Sequence, residues 1–347
     1  MRSIQFIFRL GFLFACYFNS GWFIGGNPIF AQTTAGNAVY QFLKLPYSAK
    51  ATSLGGLNIS SIGNDLGLAM TQPALLSTNL DGELQVSVKP YFAGIQQYDL
   101  NGANKLKSDW VVGWGVHYMD YGSIAQTDIM GNEYGSINPN EYSIQVGIAK
   151  TYREYFHFGT QIKFIQSNYG PFRSNGVAMD VGVRYLTPNG LSQWSILLQN
   201  VGTQLKYFQV KEELPLNLVL GWSKKLANAP FQFSLTAQRL TVWDNTYNDP
   251  LYNALEGFKS PSKYQNLFNH LIVASEINLG PSVNIDLGYN FLRRFDLNIQ
   301  NQKNSLNGFS AGCTFLVNNI QMQYANAFFQ NNLNHHFTII YQLKKRY

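Results

Sequence analysis

The chain is poor in charged residues, histidine and cysteine, and each scarcity excludes a class of protein. Charged residues make up 13% of the 347 residues, against roughly 25% in a soluble globular domain. Two cysteines cannot build a disulfide framework, and the five histidines lack the spacing with an acidic partner that zinc hydrolases use. The formal charge of +6 is spread along the sequence, which argues against nucleic-acid binding.

Long apolar runs are also missing beyond the first thirty residues, so a helical membrane protein is not expected. The N-terminus is typical of an export signal, because Arg2 and Arg9 supply positive charge, residues 10–18 are apolar and Ala31 is a small residue suited to cleavage. We assign residues 1–31 to a signal peptide. The alternative is a lipoprotein signal at Cys16. Phe14 argues against it, because such motifs carry a small or β-branched residue at that position.

What the sequence does contain is a repeated alternation of apolar with small or polar residues. In the last segment Phe337, Ile339 and Tyr341 fall on one face of a strand, and Thr338 and Gln342 fall on the other. Outer-membrane β-barrels show this pattern because one strand face meets lipid and the other meets a polar lumen. The sequence therefore predicts an all-β fold, a transmembrane antiparallel β-barrel of about 14 strands with an N-terminal plug segment.

The predicted strands leave connections that alternate between long loops and short turns, and in such barrels the long loops face outward and the short turns face the periplasm. A soluble β-sandwich also alternates, but its polar faces would be rich in Lys and Glu, whereas here they carry Gly, Ser, Asn and Gln. The long loops are predicted at 95–108, 130–139, 168–173, 202–214, 241–266 and 294–305. The strands are predicted at 83–94, 109–119, 122–129, 140–150, 154–167, 174–187, 192–201, 215–225, 230–240, 267–279, 282–293, 306–317, 319–329 and 335–347.

The segment before the strands has a different composition. Residues 32–81 are rich in Gly and Ser and alternate weakly, which predicts short helical turns and loops. Pro73 favours an extended backbone at Gln72. We therefore divide the chain into a signal peptide at 1–31, a plug segment at 32–81 in the periplasmic half of the barrel, and a transmembrane barrel at 82–347.

Two groups of residues are candidates for function. The inward positions of the strands carry charges that either pair to close the lumen or line a conduction path, and pairing is favoured because an unpaired buried charge is costly. The long loop at 241–266 is aromatic enough to be a partner-binding surface, or else a lid on the barrel. The lumen candidates are Asp180, Arg184, Glu276, Asp286 and Lys163, and the loop candidates are Trp243, Tyr247, Tyr252, Phe258 and Tyr264.

Catalysis is not expected. Ser260 and Lys263 match the S-x-x-K pattern of penicillin-binding enzymes, but Pro261 stands between them and neither companion motif follows. We predict a protein that is not an enzyme and has no cofactor and no metal site.

Three stretches carry a family resemblance: residues 42–50, residues 53–58, and Gln72, Pro73 and Ala74 followed by two leucines. They resemble the N-terminal signature of the PorQ family, outer-membrane proteins of the type IX secretion system, within the broader class of FadL-like barrels. The resemblance implies a plug motif at Gln72, Pro73 and Ala74, with Gln72 standing where the motif usually has Asn.

The resemblance also implies a location and a role. The location is the outer membrane of a Gram-negative bacterium, in contact with its lipid and with long loops at the cell surface. The role is a non-enzymatic scaffold of the attachment complex that anchors a PorZ-like surface protein beside a PorU-like sortase and a PorV-like barrel. The alternative is a FadL-like transporter of a small hydrophobic solute, with Phe42, Leu43, Leu75 and Leu76 near a gated pocket.

Overall fold

The computed structural model describes residues 38–243, 263–296, 306–329 and 332–343, so the predicted signal peptide lies outside the described residues. Within them, fourteen strands form one closed antiparallel barrel in which β1 pairs with β16. The predicted fold class is confirmed. The barrel strands are β1 (Glu83–Pro90), β2 (Gln96–Lys105), β3 (Trp110–Asp120), β6 (Asn140–Tyr152), β7 (Phe156–Tyr169), β8 (Phe172–Leu186), β9 (Ser192–Lys206), β10 (Asn217–Lys225), β11 (Phe231–Ala237), β12 (Leu271–Asn278), β13 (Val283–Asn290), β14 (Phe309–Val317), β15 (Ile320–Phe329) and β16 (Asn332–Gln342).

The remaining two strands stand apart from the wall. β4 (Ile124–Thr127) and β5 (Glu133–Ile137) form a two-stranded hairpin, so the strand predicted at 122–129 is not part of the barrel. Its place is taken by β2, which falls in the predicted loop 95–108. The prediction was wrong because β2 has Gln, Asp and Asn facing inward and only Tyr98 and Leu100 as large apolar residues facing outward. Its period of two is therefore weak in apolar residues.

The connections define two ends of the barrel. At the short-turn end they are residues 106–109, 153–155, 187–191, 226–230, 279–282 and 318–319. At the long-loop end they are 91–95, 121–139, 170–171 and 207–216, together with the described residues that follow β11 and β13. The loop predicted at 168–173 is thus a two-residue turn, and the connection after β3 is long and carries the β4–β5 hairpin. Two short helices, α3 (Lys263–Asn269) and α4 (Phe291–Asp296), lie in the connections of the long-loop end.

The outer face of the wall is an apolar band bordered by aromatic rings. On β6, β7 and β8, Ile144, Phe164 and Val177 are paired in register and face outward. Near the short-turn end, one aromatic residue from each of five adjacent strands stands in a continuous row, in the order Tyr152, Phe156, Tyr185, Trp194 and Trp222. Aromatic rows of this kind border the lipid-facing band of transmembrane barrels.

The plug segment lies inside the barrel. Its described part contains two helices, α1 (Ala49–Ser53) and α2 (Leu66–Thr71), and 3₁₀ turns at Gln41–Lys44, Pro73–Leu75 and Thr78–Leu80. Ser48 and Asp65 cap the two helices by accepting from the backbone N–H groups of Ala51 and Leu68. The segment runs from Ala38, which bridges to Glu213 at the long-loop end, to Asp81 at the short-turn end. It spans the lumen and is not confined to the periplasmic half that we predicted.

In the described parts of the chain, no helix has the length and apolar character needed to cross a bilayer.

A charge placed on the outer face tests the apolar band. Ile162 is 62% exposed midway along β7, between the aromatic row and the long-loop end. We expect Ile162→Arg to lower the free energy of unfolding by about 2–4 kcal/mol in lipid vesicles, because arginine at the bilayer midplane is costly in such barrels. The control Asn175→Arg, outward-facing on β8 near the long-loop end, should change it by about 0–1 kcal/mol. Urea titration followed by tryptophan fluorescence measures both, and equal losses would contradict a lipid-facing band.

Candidate functional site

The lumen is lined by buried polar side chains, and its centre is an ion pair within the wall. Lys163 on β7 and Asp180 on β8 are both almost fully buried, and Lys163 Nζ lies 2.7 Å from Asp180 Oδ2. Lys163 also donates to the side-chain oxygen of Asn200 at 3.1 Å, and the backbone N–H of Asn200 donates to Asp180 at 2.8 Å. Asn200 has a positive φ of 59° at a register shift between β8 and β9. The ion pair thus holds Asn200 in place at a β-bulge between β8 and β9.

A second ion pair ties the plug segment to the wall. Lys50 Nζ on α1 lies 2.9 Å from Glu276 Oε2 on β12. The other carboxylate oxygen of Glu276 accepts from the Ser61 hydroxyl at 2.6 Å, and Asp286 accepts from Ser53 at 3.2 Å. Burial disfavours the charged form of Lys50, but Glu276 and Asp286 outweigh burial and raise the pKa of Lys50 above its ordinary value. Lys50 therefore stays protonated and holds the segment against the wall.

Arg184 does not join Asp180, although both face inward on β8. Its guanidinium donates to His157 Nε2 at 2.8 Å. Only Lys163 and Asp180 among the five lumen candidates pair with each other, whereas Glu276 contacts Lys50, Asp286 contacts Ser53 and Arg184 contacts His157.

The plug motif presses against glycines of the wall. Gln72 is fully buried, has an extended backbone and donates from Nε2 to the carbonyl of Ile196 at 3.0 Å. A Cβ added at Gly159 would lie under 3.0 Å from the backbone of Pro73, and one at Gly182 would meet the Gln72 amide. These wall positions have no side chain because the plug segment occupies the space that a side chain would need, with its backbone at Gly159 and with the Gln72 side chain at Gly182.

An apolar cluster closes the lumen at the long-loop end, and we call it the mouth cluster. The plug segment contributes Val39, Tyr40, Phe42 and Leu43, and these pack against wall and loop residues. Tyr40 also hydrogen-bonds the Ser174 hydroxyl at 2.5 Å. The wall and loop residues of the mouth cluster are Met119, Ile165, Ala178 and Leu214.

A histidine and a carboxylate lie beneath the mouth cluster. His117 on β3 contacts Asp99 on β2 through Nδ1, and both side chains are fully buried. The Phe42 ring stacks on the His117 ring with centroids 5.4 Å apart, and the Tyr47 ring meets it edge-on at 4.9 Å. The plug segment therefore covers this pair from the lumen side.

The leucines at the end of the plug motif lie elsewhere. Leu75 and Leu76 belong to a separate core that the plug segment forms with small wall residues such as Ala103 and Ala149. The sequence grouped these leucines with Phe42 and Leu43 near one pocket, but the structure places the two pairs in different clusters.

The aromatic candidates of the loop 241–266 are only partly within the described residues. Trp243 is 60% exposed and stacks on His270, and Tyr264 on α3 is 78% exposed. Tyr247, Tyr252 and Phe258 lie outside the described residues, as does Ser260 of the S-x-x-K match. Where the structure describes the chain, it shows no cluster of three or more His, Cys, Asp or Glu that could hold a metal ion.

Sequence reasoning missed the residues that join the plug segment to the wall. Lys50, Ser61 and Asp65 lie in a segment without strand periodicity, so no face could be assigned to them. Asn200 was missed because a β-bulge leaves no apolar signature. One available signal was that Lys50, Ser61 and Asp65 lie in a segment predicted to fill the barrel, where polar side chains need partners on the wall.

Comparison with known proteins gives the class of the fold. No family model matches the chain, and no curated protein matches it in sequence. Among solved structures, it is similar to the CymD monoaromatic hydrocarbon channel, with a TM-score of 0.54 and 11% identity over 88% of this chain and 99% of that one. It is also similar to the Pseudomonas putida toluene transporter TodX, with a TM-score of 0.52 and 13% identity over 85% and 96% of the two chains.

At this identity the likeness shows the fold alone. The chain shares the fold of these two proteins, in agreement with the all-β barrel that the sequence predicted. The structures it resembles are described as a channel and a transporter.

The central ion pair gives a test of the lumen. Lys163→Met leaves Asp180 buried without its cation, and we expect the free energy of unfolding to fall by about 3–5 kcal/mol. The double variant Lys163→Met with Asp180→Asn should recover much of this loss, because no uncompensated charge remains. Urea unfolding of the refolded barrel measures both. If the double variant is no more stable than the single one, the pair is not the source of the loss.

Proposed function

We propose that the chain lets a small hydrophobic solute cross the outer membrane and that the plug segment is its gate. The observation that carries this proposal is the mouth cluster. It is an apolar site at the long-loop end of the lumen, and it is filled by side chains of the plug segment itself. The solved structures that the barrel resembles, named as a toluene transporter and a hydrocarbon channel, support the same function.

The mouth cluster is suited to exchange with a hydrophobic solute. Phe42 and Leu43 are each 3% exposed and lie in the first helical turn of the described plug segment. Burying a side chain of this size contributes about 1.5–3 kcal/mol. A solute of similar size could replace one of these side chains at little net change in buried apolar area.

Passage requires the plug segment to move. Within the described residues every barrel strand pairs with both neighbours, so the wall closes around the segment. The segment is also hydrogen-bonded to the wall, for example from Ser60 to Ser223, whose hydroxyl oxygens are 2.8 Å apart. Solute that enters at the mouth cluster therefore meets a closed lumen until the segment shifts.

A disulfide that locks the plug segment tests this gate. The Ser60→Cys, Ser223→Cys pair, made in a Cys313→Ala background, places two thiols where the hydroxyls now meet. We expect oxidation to reduce uptake of radiolabelled toluene by cells at least fivefold, because the segment can no longer leave the wall. Reduction of the disulfide should restore uptake.

The single variant Ser60→Cys is the matched control and should be insensitive to oxidation. Undiminished uptake through a barrel whose disulfide is confirmed by mass spectrometry would rule out a gate that works by movement of this segment. Absence of any toluene uptake by the wild-type chain would count against transport itself.

A second candidate is the scaffold role implied by the resemblance to the PorQ family. In this role the chain holds a PorZ-like surface protein beside a PorU-like sortase and a PorV-like barrel, and it performs no chemistry. The β4–β5 hairpin supports it, because the tip carries Ile129 fully exposed and Met130 85% exposed at the long-loop end. Exposed apolar residues on a projecting hairpin are typical of a partner-binding surface.

The scaffold candidate predicts loss of a partner from the hairpin tip. Replacing Ile129 and Met130 by Ser should lower co-purification of surface proteins from native membranes at least fivefold, because the apolar contact is lost. Val210→Ser is the control, since Val210 is 73% exposed in a different loop of the same end. A variant lacking 241–266 tests the aromatic loop in parallel. If neither change alters the co-purified proteins, the scaffold role is not supported.

A further inference from the structure

A polar cavity lies on the outer face of the wall, away from the lumen. It has a volume of about 650 Å³ and lies between the outer face of β6, β7 and β8 and the C-terminal end of the β4–β5 hairpin, which covers it on the side of the long-loop end. Its lining residues are Ser136, Ile137, Asn138, Asn140, Tyr142, Gln166, Asn168, Gly170 and Arg173. The strand residues among them face outward, because their neighbours Glu141, Ser143, Ser167 and Ser174 are buried in the lumen.

The cavity stands at the upper border of the apolar band. Asn140, Asn168 and Arg173 are paired in register across the three strands, and Tyr142 with Gln166 forms the next row below. The row after that is Ile144, Phe164 and Val177, where the apolar band begins.

The height of the band matches a bilayer. From Tyr142 to Tyr152 in the aromatic row is ten residues along β6, or about 34 Å along the strand and about 25 Å along the barrel axis at an ordinary tilt. The cavity therefore lies at the level of lipid headgroups.

The side chains of the cavity form a connected set of amides and one cation. Gln166 donates to the side-chain oxygen of Asn168 at 3.0 Å, and Asn168 donates to that of Asn140 at 2.9 Å. Amides held in this way present donors and acceptors in fixed positions, as the hydroxyl groups of a sugar require. Arg173 adds a guanidinium, the group best suited to a phosphate. None of the lining residues is acidic.

The hairpin gives the cavity its roof. A Cβ added at Gly170, in the turn between β7 and β8, would lie 2.9 Å from the Ile137 side chain. The hairpin therefore packs directly on this turn and encloses the polar row from above. An outward-facing amide row without such a cover would simply be solvated.

We propose that this outer-face cavity binds the phosphorylated sugar headgroup of an outer-leaflet lipid. Arg173 holds the phosphate, the amides of Asn140, Gln166 and Asn168 hold the sugar hydroxyls, and the acyl chains lie along the apolar rows beneath. The proposal takes the long-loop end as the cell-surface end. It is independent of whether the barrel transports a solute or holds a partner protein.

Native mass spectrometry of the purified full chain in detergent tests this site, with bisphosphorylated lipid A as the probe. We expect one lipid A per barrel to survive dilution. Arg173→Gln should lower the bound fraction about tenfold, because a charge-assisted contact worth at least a factor of ten is lost. Asn168→Leu should lower it as well. Arg153→Gln is the matched control, since Arg153 lies in a turn at the opposite end, and it should bind lipid A as the wild type does.

Two further probes separate the possible sources of the headgroup. Phosphatidylglycerol has a phosphate and acyl chains but no sugar, and glucose 1-phosphate has the headgroup chemistry without acyl chains. Both should bind at least tenfold more weakly than lipid A. Equal binding of phosphatidylglycerol, equal binding of glucose 1-phosphate, or full retention of lipid A by folded Arg173→Gln would each overturn the proposal. Heat-modifiable migration on gels establishes that each variant is folded.

Discussion

The structure depends on one constraint: a charged side chain that faces a lumen filled by the plug segment is buried there and needs a partner. The wall meets this constraint partly from its own strands, as where Lys163 joins Asp180. Elsewhere the partner comes from the plug segment, as where Lys50 joins Glu276 and Asp65 accepts from Gln323 at 2.6 Å. Removing the segment would leave wall groups such as Glu276 and Gln323 without these partners. The barrel and its plug segment are therefore stabilised as one unit.

The space that the plug segment takes up in the lumen explains the small residues of the inner face. A segment with its own helices and its own apolar core needs room, and the wall provides it where strands carry glycine inward. At Gly288 the space for a side chain is taken by the backbone of Ser53 and Gly55, as it is by Pro73 at Gly159. At these two positions glycine on the polar face thus reflects close approach of two backbones, and at Gly113 and Gly182 it makes room for side chains of the plug segment.

Much of the wall could be predicted because a strand has a period of two. That period places Asp180, Arg184, Glu276 and Asp286 on inward positions, where the structure has them buried. It does not specify partners, because pairing depends on strand register, on the bulge at Asn200 and on the path of the plug segment. Arg184 and Asp180 are four residues apart on one strand and yet have different partners. The strand β2 was missed for the related reason that its inward and outward residues are both largely polar.

The contacts that hold the plug segment differ between the two ends, and this difference bears on how it could move. In the short-turn half the segment is held by ionic and hydrogen-bonded contacts such as Lys50 with Glu276 and Ser60 with Ser223, in addition to the apolar core that contains Leu75 and Leu76. At the long-loop end it is held mainly by the apolar mouth cluster. An apolar contact can be exchanged for a hydrophobic ligand without leaving any group unsatisfied, whereas a buried ion pair cannot be opened in this way unless water or another charge replaces the lost partner. Under the proposed function, exchange should therefore begin at the mouth, around Phe42 and Leu43, and release of the short-turn half would then determine whether a solute passes through.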